Sequence, residues 1–525
     1  MYNESFENFQ YDSCISKGIC SLNPKISALQ TVLVLYLRNF AKYAIEIPYE
    51  NIDENIKNFI LETIAIAIYN TDFSEESFIN IVKNFRKSLP EIMQQYFKLY
   101  PETDIDKEKS KPLELFRETT DIIKSIRFGE KIFIRGQENL PSNIRDLYNT
   151  MLVIANSIAI NLLDLKTYNK DSEQGFLSIL KLLSKINIEE QSIELLKEEI
   201  NQAAAIDKEL MFLLHKCQEE KFGEQSPSEV SYSTTPGKAV LVVGSNIKEL
   251  EEILESLKDF KIDVYTHDDM MLAHTFPKFR QYSGLKGQFG LGLESCLIDF
   301  ATFPGPIIIT KHSLRNIENF YRGRLFTTDN NIPKGVIKIV NNNFDEVIDS
   351  AQQSRGFKTG KQCESVNIGY DYKSKIEEIE EKLKTNNYNH IFFIGLDGYS
   401  LEQKVYYEKL IKITPKNVLI ISFSYNNNQE NLIHINACFD SFSILRFFEK
   451  FKNDNIGKTV FIPKCERNSL SQMIYFANTP NTNVFVGKCL PIILNPTLMH
   501  TLNKLFKITL TTSSKKDIES LDGIK

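Results

Sequence analysis

The sequence contains no tryptophan, no Cys-x-x-Cys pair and none of the short motifs that mark common hydrolase and nucleotide-binding sites. Gly-x-Ser-x-Gly, His-Glu-x-x-His, the P-loop motif and the protein-kinase motifs are all missing, so those classes of enzyme have little support. The glycines at 284, 287, 290 and 292 do not form Gly-x-Gly-x-x-Gly between a strand and a helix, which weakens a dinucleotide-binding hypothesis.

An excess of basic residues is missing too. The 62 Lys and Arg are outnumbered by 68 Asp and Glu, giving a net charge of −6, which argues against a nucleic-acid partner. The best apolar run, Thr31–Leu37, ends at Arg38 and is too short to cross a membrane. The polar amino terminus lacks the features of a secretory signal. We therefore expect a cytoplasmic protein that binds neither nucleic acid nor membrane, with no oligomeric state indicated.

Cysteine is present but sparse for a chain of 525 residues. The eight cysteines stand at positions 14, 20, 217, 296, 363, 438, 465 and 489. In a large chain without an export signal, such cysteines are more often reduced thiols or metal ligands than a disulfide framework. Spacing alone favours a structural role for the close pair Cys14 and Cys20, in a loop before a helix.

The periodicity of apolar residues changes once along the chain and predicts an α + α/β multidomain protein. A spacing of three and four predicts helices over 26–44, 54–69, 74–87, 112–126, 144–165, 176–183 and 188–219. Strands and helices then alternate, which indicates parallel sheets covered by helices. We expect a helical bundle domain at 1–222, a Ser/Thr/Gly/Pro-rich linker at 223–238, and α/β domains at 239–360 and 361–525. The polar tail after Thr511 is expected to fray.

Candidate site residues follow the predicted strands, because side chains at the carboxyl ends of parallel strands share one edge of the sheet. In the first α/β domain they are Ser245, His267, Asp269, His312 and Ser313; in the second they are Asp397, Cys438, Asp440, Cys465 and Glu466. Thiolate, carboxylate and imidazole together would suit a transition metal. The alternative is that the carboxylates cap the helices that follow, and spacing alone favours those caps.

Several longer phrases resemble the hybrid-cluster proteins, the prismane family of hydroxylamine reductases, which are related in fold to nickel carbon monoxide dehydrogenases. They are VLVVGSNIKELEEILESL, DVYTHDDMMLAHTFPKF, FATFPGPIIIT, GRLFTTDNNIPKG, HIFFIGLDG, HINACFDSFS and VGKCLPIILNP. At the amino end, SCISKGICSLNPKISALQ is similar to the second half of the family's four-cysteine cluster motif. The resemblance spans nearly the whole chain in order.

The resemblance implies a helical N-terminal domain followed by two Rossmann-like domains, with a hybrid iron–sulfur–oxygen cluster where they meet and a cubane cluster near the amino end. Family members reduce hydroxylamine or nitric oxide, passing electrons from the cubane to the hybrid cluster. The hybrid cluster is held by one His, two Glu and four Cys. Thiolates suit the sulfide-bridged irons, and imidazole and carboxylates suit the oxygen-bridged ones.

Carried over position by position, that resemblance leaves few of the ligands in place. Cys438 and Glu466 match ligands, Asp269 replaces a Glu, Ser245 replaces the His, and Ser313, Leu396 and Ser424 replace Cys. A nearby family Lys becomes Asn468, and Cys465 is a further candidate ligand. At the amino end Cys14 and Cys20 match the later cysteine pair, but FENFQY stands where the earlier Cys-x-x-Cys belongs.

Three hypotheses follow. The leading one is a pseudoenzyme: a family member with no cofactor, its reductase activity lost or reduced, and a binding or regulatory role. The second is a working oxidoreductase with an altered metal site built from Asp269, Cys438, Cys465 and Glu466, with His267 or His312. The third is an electron-transfer subunit in which Cys14 and Cys20 share an iron–sulfur cluster with a protein redox partner.

Overall fold

A computed structural model describes residues 24–68, 73–101, 121–138, 140–186, 192–290, 295–314, 318–396, 401–437, 441–465, 467–487 and 496–521. The chain forms two compact units. Unit 1 comprises residues 1–214, 314–317 and 329–336, and unit 2 comprises 215–313, 318–328 and 337–525. The predicted candidates Cys14, Cys20, Asp397, Cys438, Asp440 and Glu466 lie outside the described residues.

Unit 1 is helical, as the periodicity predicts. Its helices are Pro24–Ala44, Glu54–Ala67, Glu75–Leu99, Ile122–Glu138, Ser142–Thr167 and Glu173–Lys185, followed by Ile193–Phe222, which continues into unit 2. Short polar residues start several of them: the side chains of Asp53, Ser74 and Ser172 each accept a hydrogen bond from a first-turn main-chain N–H. These N-caps satisfy donors that a helix start leaves without an internal partner.

The helix Ser142–Thr167 is long and apolar enough to cross a membrane by length and composition, although the sequence predicted no segment of that length. Two thirds (67%) of its most apolar window is buried within the protein. It also buries polar groups against a neighbouring helix: Ser157 and Asn161 donate to the two carboxylate oxygens of fully buried Asp207, at 2.6 and 2.7 Å. Such paired polar contacts are typical of a helix packed inside a protein core.

Unit 2 contains strands grouped into two parallel sheets and one antiparallel pair. The strands are β1 (Ser228–Ser231), β2 (Lys238–Val243), β3 (Ile262–His267), β4 (Leu285–Gln288), β5 (Ile307–Ile309), β6 (Leu325–Thr327), β7 (Ile337–Lys338), β8 (Ser365–Ile368), β9 (His390–Ile394), β10 (Val418–Ser422), β11 (Leu432–His434), β12 (Gly457–Ile462), β13 (Thr482–Val486) and β14 (Ile508–Leu510). The antiparallel pair joins β1 to β8, so the segment predicted as a linker carries a paired strand.

The first sheet has the order β4-β3-β2-β5-β6-β7 and is parallel throughout. Its helices are Ile247–Leu257, Cys296–Thr302 and Asp345–Gln353. The central strand β2 is buried along almost its whole length, as expected for a strand with neighbours on both sides and layers on both faces. The short strands β4 and β6 were not predicted, because three or four residues carry too little periodicity.

The second sheet has the order β11-β10-β9-β12-β13-β14 and is also parallel throughout. Its helices are Tyr372–Thr385, Leu401–Ile413, Phe442–Phe451, Ser469–Ala477, Pro496–Phe506 and Ser514–Glu519. A helical unit and two parallel α/β sheets confirm the predicted fold class.

The prediction of a frayed tail after Thr511 is wrong. The helix Ser514–Glu519 packs on the helix Leu401–Ile413, and Ile518 and Leu521 belong to the buried core of the second sheet. Asp517 accepts hydrogen bonds from the Tyr406 hydroxyl (2.6 Å) and from the Thr512 main chain (2.9 Å). The sequence of the tail is mostly polar because only one narrow face of its helix is apolar, and this misled the prediction.

Candidate functional site

The carboxyl ends of β2, β3 and β5 stand side by side in the first sheet. Val243, the last residue of β2, is in register with His267 of β3 on one side and with Ile309 of β5 on the other. The loops that carry Ser245, Asp269 and Ser313 therefore leave the sheet at the same edge, as the sequence predicts.

The corresponding edge of the second sheet meets this one through Arg467. Arg467 follows β12, and its Nη2 donates a hydrogen bond to the main-chain carbonyl oxygen of His312, at 3.1 Å. His312 follows β5 and has a left-handed backbone conformation (φ 59°), and both residues are half-buried. The hydrogen bond joins the loops at the carboxyl ends of two different sheets, where ligands of open α/β folds bind.

Ser313 and Ser245 point to different surroundings. Ser313 is 9% exposed, and its Oγ would stand 2.7 Å from a Cβ built on Gly244, so the hydroxyl packs against the Gly244 backbone. Gly244 has φ 121°, and the same built Cβ would meet the Oγ of Thr310 at 2.1 Å, so only glycine fits this turn. Ser245 is exposed beside it.

Helix capping accounts for one polar residue of this edge. The Asn246 side chain accepts hydrogen bonds from the main-chain N–H groups of Lys248 and Glu249, at 3.1 and 3.2 Å. It is therefore an N-cap, a role that short polar residues often take at strand-to-helix turns. Glu249, buried on the same helix, accepts from the Lys311 N–H and the Thr328 hydroxyl and so fixes the loops after β5 and β6.

Asp269 lies in the 3-10 helix Asp268–Thr275 directly after β3 and is half-buried. Asp268 before it is buried and has a backbone φ of 57°. Residues other than glycine, asparagine and aspartate rarely adopt this left-handed conformation. This sharp turn sets the direction in which the chain leaves β3, and with it the position of Asp269.

In the second sheet, the described candidate positions are Leu396 after β9, Ser424 after β10 and Cys465 after β12, and all three are half-buried. Cys465 is disulfide-bonded, whereas Cys217, Cys296 and Cys363 are not. A sulfur in a disulfide carries no thiolate charge, so Cys465 can bind a metal only after reduction.

His267 is held by a residue that the sequence did not single out. Its Nε2 lies 3.0 Å from Oδ2 of Asp299, and the Ser295 hydroxyl donates to the same oxygen. The imidazole is fully buried, with the ring of Phe300 edge-on at 5.3 Å. Ser295 and Asp299 are four residues apart at the start of one helix, a spacing from which their hydrogen bond could have been predicted. Nothing in the sequence relates that helix to β3.

A second buried network continues from the other side of β3. Thr266 donates to Oε1 of Gln288 at 2.6 Å, and its Oγ1 lies 2.9 Å from Nε2 of His274. Burial lowers the pKa of His274 from 6.5 to about 4, because the imidazolium loses its hydration there. Thr266 thus anchors the end of β3 through hydrogen bonds to Gln288 and His274, and His267 anchors it through the carboxylate of Asp299.

Within the described ranges, no three His, Cys, Asp or Glu side chains stand close enough to hold a metal ion together. Asp269, His267, His312 and Cys465 therefore do not form a ligand group by themselves. The positions of Cys438 and Glu466 as ligands remain predictions.

The Prismane/CO dehydrogenase family model matches residues 10–438. The chain belongs to this family, which confirms the predicted resemblance. It is similar to hydroxylamine reductases from Thermodesulfovibrio yellowstonii (23% identical over 538 residues, 97% of each chain) and Acidiphilium cryptum (23% over 526 residues, 96% of this chain and 94% of the other).

Among solved structures, the chain is similar to one described as NiZn[Fe4S4] and NiNi[Fe4S4] clusters in closed and open alpha subunits of acetyl-CoA synthase/carbon monoxide dehydrogenase. The TM-score is 0.48 with 9% identity, covering 94% of this chain and 80% of the other.

Proposed function

We propose that this chain is a divergent relative of the hydroxylamine reductases that does not assemble the family's hybrid cluster and acts as a binding or regulatory protein. The observation that carries the proposal is Ser313, which stands where the resemblance places a cysteine ligand. It offers a hydroxyl in place of a thiolate, and that hydroxyl packs against Gly244.

The donor chemistry of the other described positions supports the same proposal. Ser245, Ser313 and Ser424 carry hydroxyls, Leu396 carries a hydrocarbon, and Asp269 is the one carboxylate among these five positions. A serine hydroxyl gives up its proton far less readily than a thiol and is a poor ligand for iron, and Leu396 cannot bind a metal. These residues do not fit the hybrid cluster, which needs thiolates and an imidazole.

Anaerobic purification followed by iron, nickel and acid-labile sulfide analysis, with an absorption spectrum, tests the proposal. We expect a colourless protein without stoichiometric metal and without hydroxylamine reduction. Several iron and sulfide atoms per chain would overturn it. The hydroxylamine reductase from Thermodesulfovibrio yellowstonii, purified in parallel, is the positive control.

A second candidate function is an oxidoreductase with an altered metal site, favoured by one observation. Cys465 is disulfide-bonded, so a second sulfur stands within bonding distance of it at the edge of the second sheet. After reduction, two thiolates this close could bind one metal ion, together with Asp269, Cys438 and Glu466 as predicted ligands. Reconstitution with iron under reducing conditions, followed by Cys438→Ala and Cys465→Ala, tests this: turnover that persists in both variants would exclude it.

An electron-transfer role remains a third proposal, in which Cys14 and Cys20 hold a cluster together with ligands from a protein redox partner. Its motivation is the match of both residues to the later half of the family's cysteine motif. Co-purification of iron with a partner that is lost in Cys14→Ala would support it, and iron-free complexes would exclude it.

We further propose a cytoplasmic protein without nucleic-acid or membrane partners, on the basis of its net charge of −6 and the buried helix Ser142–Thr167. Cell fractionation and a DNA-binding assay at low salt check this. Recovery in the membrane fraction, or binding to DNA, would contradict it.

A further inference from the structure

We propose that Cys489 is the disulfide partner of Cys465, and that this bond is a redox-sensitive crosslink between the loops after β12 and β13. While the bond is intact it constrains the loop that carries Arg467, and a dithiol that reduces the bond releases that loop. The inference goes beyond the proposed function and does not depend on it.

Four cysteines can pair with Cys465, which is disulfide-bonded and half-buried in the loop directly after β12. Of the eight cysteines in the chain, Cys217, Cys296 and Cys363 are not disulfide-bonded. The pairing of the described strands decides among the other four. They all lie outside the described residues and are Cys14, Cys20, Cys438 and Cys489.

The register of β12 and β13 relates Cys465 to Cys489. The two strands are parallel neighbours, and each residue of β12 pairs with the residue 24 positions later, from Lys458 with Thr482 to Ile462 with Val486. The same offset leads from Cys465 to Cys489. Neighbouring strands lie about 4.8 Å apart, and disulfide bonds join Cα atoms about 4.4–6.8 Å apart. Two cysteines in register on adjacent parallel strands therefore have the spacing that a disulfide requires.

The chain remains paired after both strands end. Gly487, the first residue after β13, donates its main-chain N–H to the carbonyl oxygen of Ile462 at 2.8 Å. A Cβ built on Gly487 would stand 3.0 Å from the carbonyl oxygen of Pro463, so the two loops are in contact where they leave the sheet. Cys465 and Cys489 each follow two residues later, at equal distances along the two loops.

The strand order argues against Cys438. That residue follows β11, and β10 and β9 lie between β11 and β12. Three strand spacings of about 4.8 Å amount to about 14 Å, twice the separation that a disulfide can span. Cys14 and Cys20 belong to unit 1, and none of the described strand pairings relates them to β12. Cys489 is thus the partner that the described strands support.

The crosslink acts on a loop that already holds the first sheet. Arg467 follows Cys465 by two residues, and its Nη2 donates to the main-chain carbonyl oxygen of His312 at 3.1 Å. A disulfide at Cys465 limits the positions that Arg467 can take, because a covalent bond fixes the chain two residues before it. We therefore expect the bond between Arg467 and His312 to be formed less of the time once the disulfide is reduced.

Reduction needs only a dithiol. The dithiol gives up two electrons and two protons and becomes a disulfide itself, while the bond between Cys465 and Cys489 becomes two thiols. In a reducing compartment, disulfides of this kind are usually transient and often sense the redox state. Dithiothreitol is the probe for this step.

Peptide mapping of the purified protein tests the pairing. Free thiols are alkylated with N-ethylmaleimide, the protein is digested with trypsin without reduction, and the fragments are identified by mass spectrometry. We expect residues 465–467 to be linked to residues 489–504, and dithiothreitol to separate the two fragments. A link from Cys465 to Cys14, Cys20 or Cys438 would overturn the inference, as would an alkylated Cys465.

Hydrogen–deuterium exchange with and without dithiothreitol tests the effect on the loop. We expect reduction to speed exchange at residues 311–314 by about fivefold, the change that a small part of a disulfide's stabilisation makes to an opening equilibrium. Cys489→Ser should exchange at the faster rate under both conditions.

Cys363→Ser is the matched control for that measurement. It changes a half-buried cysteine of the same unit that is not disulfide-bonded, so it should behave like the parent protein. The same peptide map shows when dithiothreitol has reduced the bond. Exchange at residues 311–314 that stays unchanged after complete reduction would show that the disulfide does not constrain the loop, and would overturn that part of the inference.

Discussion

Arg467 donates a hydrogen bond from Nη2 to the main-chain carbonyl oxygen of His312 at 3.1 Å, across 155 residues of sequence. The two residues follow β12 and β5, so this bond links the carboxyl edges of two separate parallel sheets. A charged donor on a main-chain carbonyl contributes more than a neutral one, since the acceptor is held by a full positive charge.

Arg467→Ala is therefore expected to lower the free energy of unfolding of unit 2 by about 1–3 kcal/mol and to speed amide exchange in the loop after β5. Urea denaturation and hydrogen–deuterium exchange measure the two effects. The control is Arg355→Ala, at an exposed arginine of the same unit, which should change neither. Unchanged exchange at residues 311–314 in Arg467→Ala would show that the bond does not hold this loop.

Gly244→Ala tests the packing of the turn after β2. The added Cβ would stand 2.1 Å from Oγ1 of Thr310, in a backbone with φ 121° that alanine rarely adopts. We expect a loss of about 2–4 kcal/mol in stability, from backbone strain and overpacking together. Gly323→Ala, where a Cβ meets nothing within 4 Å, should stay within about 0.5 kcal/mol of the parent protein. Equal melting temperatures for the two variants would contradict the described turn.

Stability should fall in acid because of His274. Its pKa is about 4 in the folded protein and 6.5 in the unfolded chain, so the unfolded state takes up the proton first as the pH falls. The stabilisation is complete above pH 6.5 and is lost progressively down to pH 4. The shift corresponds to about 3 kcal/mol. Burial, with Lys458 nearby, lowers the pKa of His390 to about 4 as well, so it acts in the same range.

Unfolding free energies measured between pH 4 and 7.5 check this expectation. His274→Asn should flatten the dependence, whereas His500→Gln, at an exposed histidine, should leave it as steep as in the parent protein. A slope unchanged by His274→Asn would mean that folding does not lower the pKa of this imidazole.

The C-terminal helix should contribute measurably to stability. Tyr406→Phe removes the 2.6 Å hydrogen bond to Asp517, but Thr512 still donates to that carboxylate. We expect a cost of about 1–2 kcal/mol in thermal or urea unfolding. Tyr388→Phe, at a half-buried tyrosine of the same unit, is the matched control and should cost less. If the tail frayed, Tyr406→Phe and Tyr388→Phe would lose the same amount of stability.

The oxidation state of Cys465 can be measured by counting thiols in the denatured protein before and after reduction. Reduction should raise the count in the parent protein, and Cys465→Ser should make that rise smaller by two thiols because the disulfide can no longer form. Cys363→Ser removes a free thiol and should lower both counts equally while keeping the rise. An unreduced count that already includes every cysteine would contradict the disulfide.

The sequence predicted the fold class, most helices and the longer strands, because their apolar periodicity is local. It also predicted which loops share the carboxyl edge of the first sheet, since that follows from parallel strand order alone. The resemblance to the prismane family, confirmed by the match over residues 10–438, came from phrases such as FATFPGPIIIT that need no structure to recognise.

Pairings between distant residues could not be predicted from the sequence. The strand β1 lies in a segment that reads as a linker, and it becomes a strand only by pairing with β8 more than a hundred residues later. The partner of His267 is Asp299, 32 residues away on a helix with no sequence relationship to β3. The packing of Ser313 on Gly244 likewise depends on how β5 and β2 lie side by side.

The sequence by itself determined which residue types stand at the ends of the strands: hydroxyls at 245, 313 and 424, a hydrocarbon at 396 and a carboxylate at 269. Tertiary structure alone decided that the Ser313 hydroxyl packs inward, that Arg467 joins the two sheet edges, and that Nε2 of His267 pairs with Asp299. The physical reason is that side-chain direction, burial and tautomer depend on neighbours that folding brings together from remote parts of the chain.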